Sequence, residues 1–218
     1  MRFRRSSAVV LALMLLASSL ALPATEKTFT MPRAFHAKTY PAHDAHDDEQ
    51  VTLAVDPYDT PDKQMTVFKT QFVERDMLPL HFIISNDSGT VITLKQMSVL
   101  LITKKRVKIE PATEDDIYRR LSAAKQRLDL PNPSPFPRHA KSAVSKEAKE
   151  EVPAAQFAAV SVEPKSTQAG FLFFDVQDIE NPLAGARLVV TGIRNANGKE
   201  LFYFEIPLEK YLGYKPGQ

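Results

Sequence analysis

The sequence predicts a mainly β protein, an antiparallel β-sandwich carrying two helical insertions and a Pro-rich flexible excursion. Three observations carry that reading. Several short apolar or alternating runs are separated by turn residues, as in an all-β domain. Two amphipathic stretches interrupt these runs instead of alternating with them, which argues against a doubly wound parallel sheet. Finally, Gly170-Phe171-Leu172-Phe173-Phe174-Asp175-Val176 is the densest apolar run beyond the N-terminus. Successive strand side chains point to opposite faces, so Phe171 and Phe173 face one way and Leu172, Phe174 and Val176 the other. With both faces apolar, the run reads as a central strand covered on both sides.

The chain has 218 residues, 44% of them hydrophobic, which suffices for one core, placed over residues 51–208. Arg2, Arg4 and Arg5, an apolar run over 8–16 and the small residues of Ser19-Leu20-Ala21 make residues 1–21 a secretory signal peptide. The apolar part is short for a membrane span of about 20 residues. The expected location is therefore secreted or periplasmic, with no membrane association after cleavage. The net charge of +2 includes those three arginines; removing three of 28 basic residues against 26 acidic ones leaves a chain close to neutral. Such a balance gives no reason to expect a nucleic-acid partner. Cysteine is absent, which excludes disulfides, thiolate metal sites, iron–sulfur clusters, thiol nucleophiles and cysteine-linked lipid.

Residues 22–50, polar and punctuated by Pro23, Pro32 and Pro41, read as an extended leader. Residues 51–55 alternate as a first strand, ended by Asp56-Pro57. Thr60 is a helix N-cap with Pro61 at the first helical position, and Met65, Phe68 and Phe72 form an apolar stripe on a helix expected to stop before Pro79. The β-branched Thr66, Val67 and Val73 leave a strand over 65–73 as an alternative. A strand over 80–85 runs into the turn Asn86-Asp87-Ser88-Gly89 and is expected to pair with 90–94 as a hairpin. Residues 98–103 and 106–109 are further strands, the second alternating as an edge strand does. Thr113 and Asp116 make a variant capping box, followed by Ile117, Leu121, Ala124 and Leu128 at helical spacing until Pro131. Residues 131–155 open with Pro131, Pro133, Pro135 and Pro137 and continue Lys- and Glu-rich, so they read as a flexible insertion. Strands follow at 157–162, 168–176 and 187–193. Asn197-Gly198 turns the chain into 201–206, where Phe202, Phe204 and Ile206 are expected to share a face. Residues 209–218 form a C-terminal tail.

Pro164, the Gly170 to Val176 run, Pro182-Leu183-Ala184-Gly185-Ala186 and Gly198-Lys199-Glu200-Leu201-Phe202-Tyr203-Phe204 resemble the second half of exported bacterial immunoglobulin-like domains, as found in uncharacterised secreted proteins. The resemblance covers residues 157–208. It implies an immunoglobulin-like β-sandwich and no particular activity.

Potential ligands cluster only at His43-Asp44-Ala45-His46-Asp47-Asp48-Glu49. Imidazole and carboxylate together suit zinc, nickel or copper, and His43, His46 and Asp47 are the candidate metal ligands, provided the segment is helical enough to bring the histidines together. The competing reading is a solvated polar leader. His81, inside an apolar strand, reads as a packed, hydrogen-bonded histidine and not a ligand, and His139 in the Pro-rich insertion is a weaker ligand candidate still. Lys104, Lys105, Arg106 and Lys108, with Arg119 and Arg120, form a candidate anion patch, against which stands the protective role of charge on an edge strand. No phosphate loop, dinucleotide fingerprint, nucleophile elbow or His-Glu-x-x-His helix is present. The expectation is a non-enzymatic module without a cofactor that binds a protein or cell-envelope component. The alternatives are a metal-binding protein using the His43/His46 cluster and an envelope protein that assembles with itself.

Overall fold

The computed structural model describes residues 29–128 and 144–213, with side chains described outside 123–128. Residues 1–28 (the expected signal peptide among them), the four alternate prolines, His139 and residues 214–218 lie outside the described residues. In chain order the strands are β1 (Ala42–His46), β2 (Val51–Pro57), β3 (Met77–Asn86), β4 (Ile92–Thr93), β5 (Ser98–Ile102), β6 (Lys108–Ile109), β7 (Ser161–Val162), β8 (Ser166–Asp175), β9 (Arg187–Thr191) and β10 (Phe204–Pro207). The helices are α1 (Pro61–Met65), α2 (Glu114–Leu128), α3 (Lys146–Ala155) and α4 (Glu209–Leu212).

The protein is mainly β, and every ladder between these strands is antiparallel. One sheet has the order β1-β2-β3-β8, a second β10-β9-β5-β6, and β4 with β7 makes a small third. The apolar run that dominates the sequence is β8, paired with β3 from Met77↔Asp175 to Asn86↔Ser166. It lies at the end of its sheet, yet both its faces are covered, as its sequence predicts. On one face Phe174 joins Leu53, Leu80 and Phe82 of the first sheet against Leu101, Leu188, Val190, Phe204 and Ile206 of the second. On the other, Phe171 and Phe173 meet Phe68, Phe72, Ile117, Leu121, Val152 and Ala155. Full burial of one such side chain is worth roughly 1.5–3 kcal/mol, so the core is assembled from both faces of a single sheet. A smaller cluster of Ala37, Ala54 and Ile83, with Tyr40 packed on it, completes the helix-side face.

Local chemistry accounts for the helices. Thr60 Oγ1 accepts from Lys63 N at 3.3 Å with Pro61 at the start of α1. Thr113 and Asp116 cap each other reciprocally at the start of α2, Asp116 N donating to Thr113 Oγ1 at 3.2 Å and Thr113 N to Asp116 Oδ2 at 3.3 Å.

Several expectations are corrected. The Thr60 helix does not reach Pro79: it ends at Met65, which is 50% exposed. The buried Gln64 side chain pins the following loop, donating to Tyr58 O at 3.0 Å and accepting from Phe72 N at 2.9 Å and Val73 N at 3.3 Å. These bonds satisfy the loop's backbone without a helix, and β-branched Thr66 and Val67 do not favour one. Pro79 lies inside β3, because its carbonyl side faces Tyr58 N just past the end of β2, where no ladder amide is required. Residues 92–93 pair with β7 and not with β3. A strand has two edges, and those of β3 are taken by β2 and β8. Within 131–155, residues 146–155 are not a flexible excursion but α3, capped by Ser145 Oγ on Ala148 N and burying Val152 and Ala155. Within 22–50, residues 42–46 are a strand and Ala37 and Ala42 are fully buried. Within 209–218, residues 209–212 are helical. Of 157–162 only Ser161–Val162 is strand. Finally, Phe202 lies outside β10 and is 65% exposed, while Phe204 and Ile206 are buried.

Candidate functional site

The His-Asp cluster forms β1 at the edge of the first sheet, and strand alternation sends its histidines to opposite faces. His43 Nδ1 donates to Tyr40 O at 2.6 Å. His46 stacks on Phe204 with ring centroids 3.9 Å apart and lies between two carboxylates, Glu49 Oε2 at 3.0 Å and Asp44 Oδ2 at 3.4 Å. Asp47 is paired with Lys38 at 2.8 Å, which holds its carboxyl below the usual range. Among the described residues no group of three or more His, Asp or Glu side chains is placed to hold a metal ion. What these residues do is join the two sheets. Asp44 Oδ2 accepts from Glu205 N at 2.8 Å and Glu49 Oε1 from Phe202 N at 3.0 Å, so carboxylates take the place of a neighbouring strand along the free edge of β10.

The basic patch is similarly divided. Arg119 pairs with Asp116 at 2.6 Å, and Arg120 holds Asp175 and Gln177 at the end of β8. Lys104, Lys105, Arg106 and Lys108 lie apart, at the β5–β6 connection.

The densest meeting of ionisable groups is elsewhere, around Lys63. Its ammonium lies 2.5 Å from Asp56 Oδ1 and 3.2 Å from Tyr211 OH. It also stands over two aromatic rings, 4.8 Å from the Tyr58 centroid and 4.6 Å from that of Tyr211. The Tyr211 hydroxyl in turn donates to Asp59 Oδ1 at 3.0 Å. Burial, and then the negative charge of Asp56, push the Tyr58 phenol up to about 12. Tyr211 is raised as well, first by burial and then by Asp59. Tyr40 is raised chiefly by burial. Beside them His81 is 1% exposed, packs edge-on to Tyr58 and has no hydrogen-bond partner at Nε2. Burial, with a smaller push from Lys63, lowers its imidazole to about 4. His81 is thus packed, as its apolar strand predicts, but without the expected hydrogen bond at Nε2, because the rings of Tyr58 and Phe171 surround it.

A cleft of about 520 Å³ opens at this cluster, with Tyr40, Pro41 and Tyr211 as walls and Asp56 and Lys63 among its lining. Its rim carries two exposed apolar side chains, Phe35 at 55% and Leu212 at 50%. Leu212 also borders a second cleft, of about 370 Å³, that contains Asp59, Met77 and Leu183. The short α4 therefore stands between two concavities, held by Tyr211 on Lys63.

Sequence reasoning reached Asp56 only as the end of a strand, and Thr60 and Pro61 only as a helix start. The partners Tyr40, Lys63 and Tyr211 span more than 170 positions, so no local motif unites them. The remaining signal was compositional: Asp56-Pro57-Tyr58-Asp59 concentrates charge and an aromatic ring at the end of a strand. No protein-family model matches the chain, and no curated protein matches it in sequence.

Proposed function

We propose that the chain is an exported, non-enzymatic module of immunoglobulin-like β-sandwich architecture that binds a protein or cell-envelope partner. Strand order supports the architecture. If β2, β3, β5, β6, β8, β9 and β10 are taken as strands A, B, C, C′, E, F and G, the two sheets become A-B-E and G-F-C-C′, the arrangement of that fold, with β1 added beside A. Binding rests on one observation, the cleft beside Lys63. Small-ligand and partner sites are concave and mainly apolar or aromatic, with a few placed polar groups, and aromatic side chains lead in recognition surfaces. Phe35, Tyr40, Pro41, Tyr211 and Leu212 around one ion pair match that composition.

Crosslinking the mature protein in its native envelope and identifying what it captures tests this reading, alongside a Phe35→Ala/Leu212→Ala variant. Both side chains are exposed, so the variant is expected to fold. A captured partner that falls about tenfold in the variant, a loss of about 1.4 kcal/mol, supports the reading. Undiminished capture removes the cleft as the binding surface. Turnover in a peptidase, esterase and glycosidase panel, abolished by one point change, overturns the non-enzymatic reading.

A further inference from the structure

We infer that the cleft beside Lys63 takes a sugar ring of an uncharged glycan. The inference rests on the reading of this cleft as the binding surface and specifies the chemistry of what it binds. Charge decides first. Lys63 and Asp56 neutralise each other at 2.5 Å, and a further bond from Lys63 goes to Tyr211 OH. An incoming anion would meet the repulsion of Asp56 beside the ammonium, and an incoming cation that of Lys63 beside the carboxylate, each a cost that offsets its attraction to the other partner. A neutral ligand meets neither cost.

Shape and surface decide next. The walls are aromatic rings, and the C–H face of a pyranose is apolar and electropositive, complementary to the negative face of an aromatic ring. Tyr40, Tyr211 and Phe35 line one opening, with Lys63 over one face of Tyr211 and Arg33 over one face of Phe35. The volume of about 520 Å³ lies in the range of small-molecule sites, roughly 300–1,000 Å³.

Hydrogen-bonding capacity decides last. Sugar hydroxyls donate and accept at once, so they need a lining of both kinds. Lys63 has three N–H groups and two partners among the described residues. Asp56 uses one oxygen on Lys63. The Tyr40 hydroxyl accepts from Phe35 N at 3.1 Å and keeps its own proton to donate. Thr39 Oγ1 spends its proton on His36 O at 2.7 Å and keeps its acceptor capacity. Donors and acceptors are thus both present in the cleft, and an apolar peptide side chain would leave them unsatisfied.

The test is calorimetric titration of the mature full chain with hexasaccharides of N-acetylglucosamine, β-1,4-glucose, α-1,4-glucose and xylose, and with an oligogalacturonate as the anionic probe. Saturable binding of at least one neutral probe is expected, weakened about tenfold by Phe35→Ala and several-fold by Tyr40→Phe. A Phe202→Ala/Tyr203→Ala variant, altered at an exposed aromatic pair outside the cleft, should bind as the wild type does. Three results overturn the inference: no neutral probe binding at about 10 mM, tighter binding of the galacturonate, or binding that survives Phe35→Ala. Capture of an envelope protein that depends on Phe35 and Leu212, with no probe bound, would retain the cleft as a binding surface and reject the glycan.

Discussion

Acid sensitivity measured against a His81→Leu variant tests the environment of the Lys63 cluster most directly. His81 in the unfolded chain takes a proton near pH 6.5, whereas the folded imidazole resists it until about 4. Above pH 6.5 the residue is neutral in both states and costs nothing. Between 6.5 and 4 the unfolded state binds the additional proton, so stability falls as pH falls; below 4 both states are protonated and the loss levels off. At about 1.36 kcal/mol for each pH unit, the interval amounts to about 3 kcal/mol. Other groups act in the same direction, since Asp47, Asp116 and Glu147 all have lowered carboxyls. They are common to both proteins and cancel in the difference. Leucine fills the space beside Tyr58 and Phe171 and removes the partnerless Nε2, so the variant is expected to match or exceed wild-type stability at pH 7. Urea unfolding in half-unit steps from pH 7.5 to 3.5 should then show the variant gaining about 3 kcal/mol over the wild type by pH 4. A difference that stays flat across that range would mean that the imidazole is solvated or paired, and would refute the packing argument.

Three further outcomes follow from the packing. Phe173→Ala, at a position 1% exposed and 4.9 Å between ring centroids from Phe72, should cost about 3–5 kcal/mol in urea unfolding; a loss below about 1 kcal/mol would show that the helical layer does not cover β8. Gly170→Ala places a Cβ 2.6 Å from Phe157 Cα, and the strain should lower stability by about 1–3 kcal/mol, so a neutral result would mean that residue 157 does not cross β8 where described. Gln64→Leu strips Phe72 N, Val73 N and Tyr58 O of their partner and should cost about 1–3 kcal/mol or more, with faster amide exchange at Phe72 and Val73; unchanged exchange there would deny Gln64 its role in the loop.

Much of the fold was legible because its causes are local. The two-sided apolarity of β8 is written in Phe171-Leu172-Phe173-Phe174, and the capping of α2 in Thr113 and Asp116. The helix side of the core was legible as far as Leu121, which packs with Phe173 in one cluster. The same logic failed at Met65, where the buried Gln64 side chain, bonded to Tyr58, Phe72 and Val73, outweighs a three-residue apolar stripe. It failed also at β4, because the number of strand edges available is a property of the whole sheet. Gly170 carried a usable sign, a glycine inside a strand, which marks a close backbone approach; the Phe157 backbone supplies it.

The functional residues divide along the same line. The sequence alone determined composition and periodicity: a cysteine-free, mainly β chain with an acidic histidine cluster and one strand apolar on both faces. Only the tertiary structure decided which charges meet. It turned the histidine cluster into the junction between two sheets, because β1 adopts a two-residue repeat that parts His43 from His46. It brought Tyr40, Lys63 and Tyr211 together, because chain closure carries α4 back beside the start of α1. Hydrophobic period is set by neighbours a few residues apart, whereas the seating of Tyr211 on Lys63 depends on segments that the sequence holds far from one another.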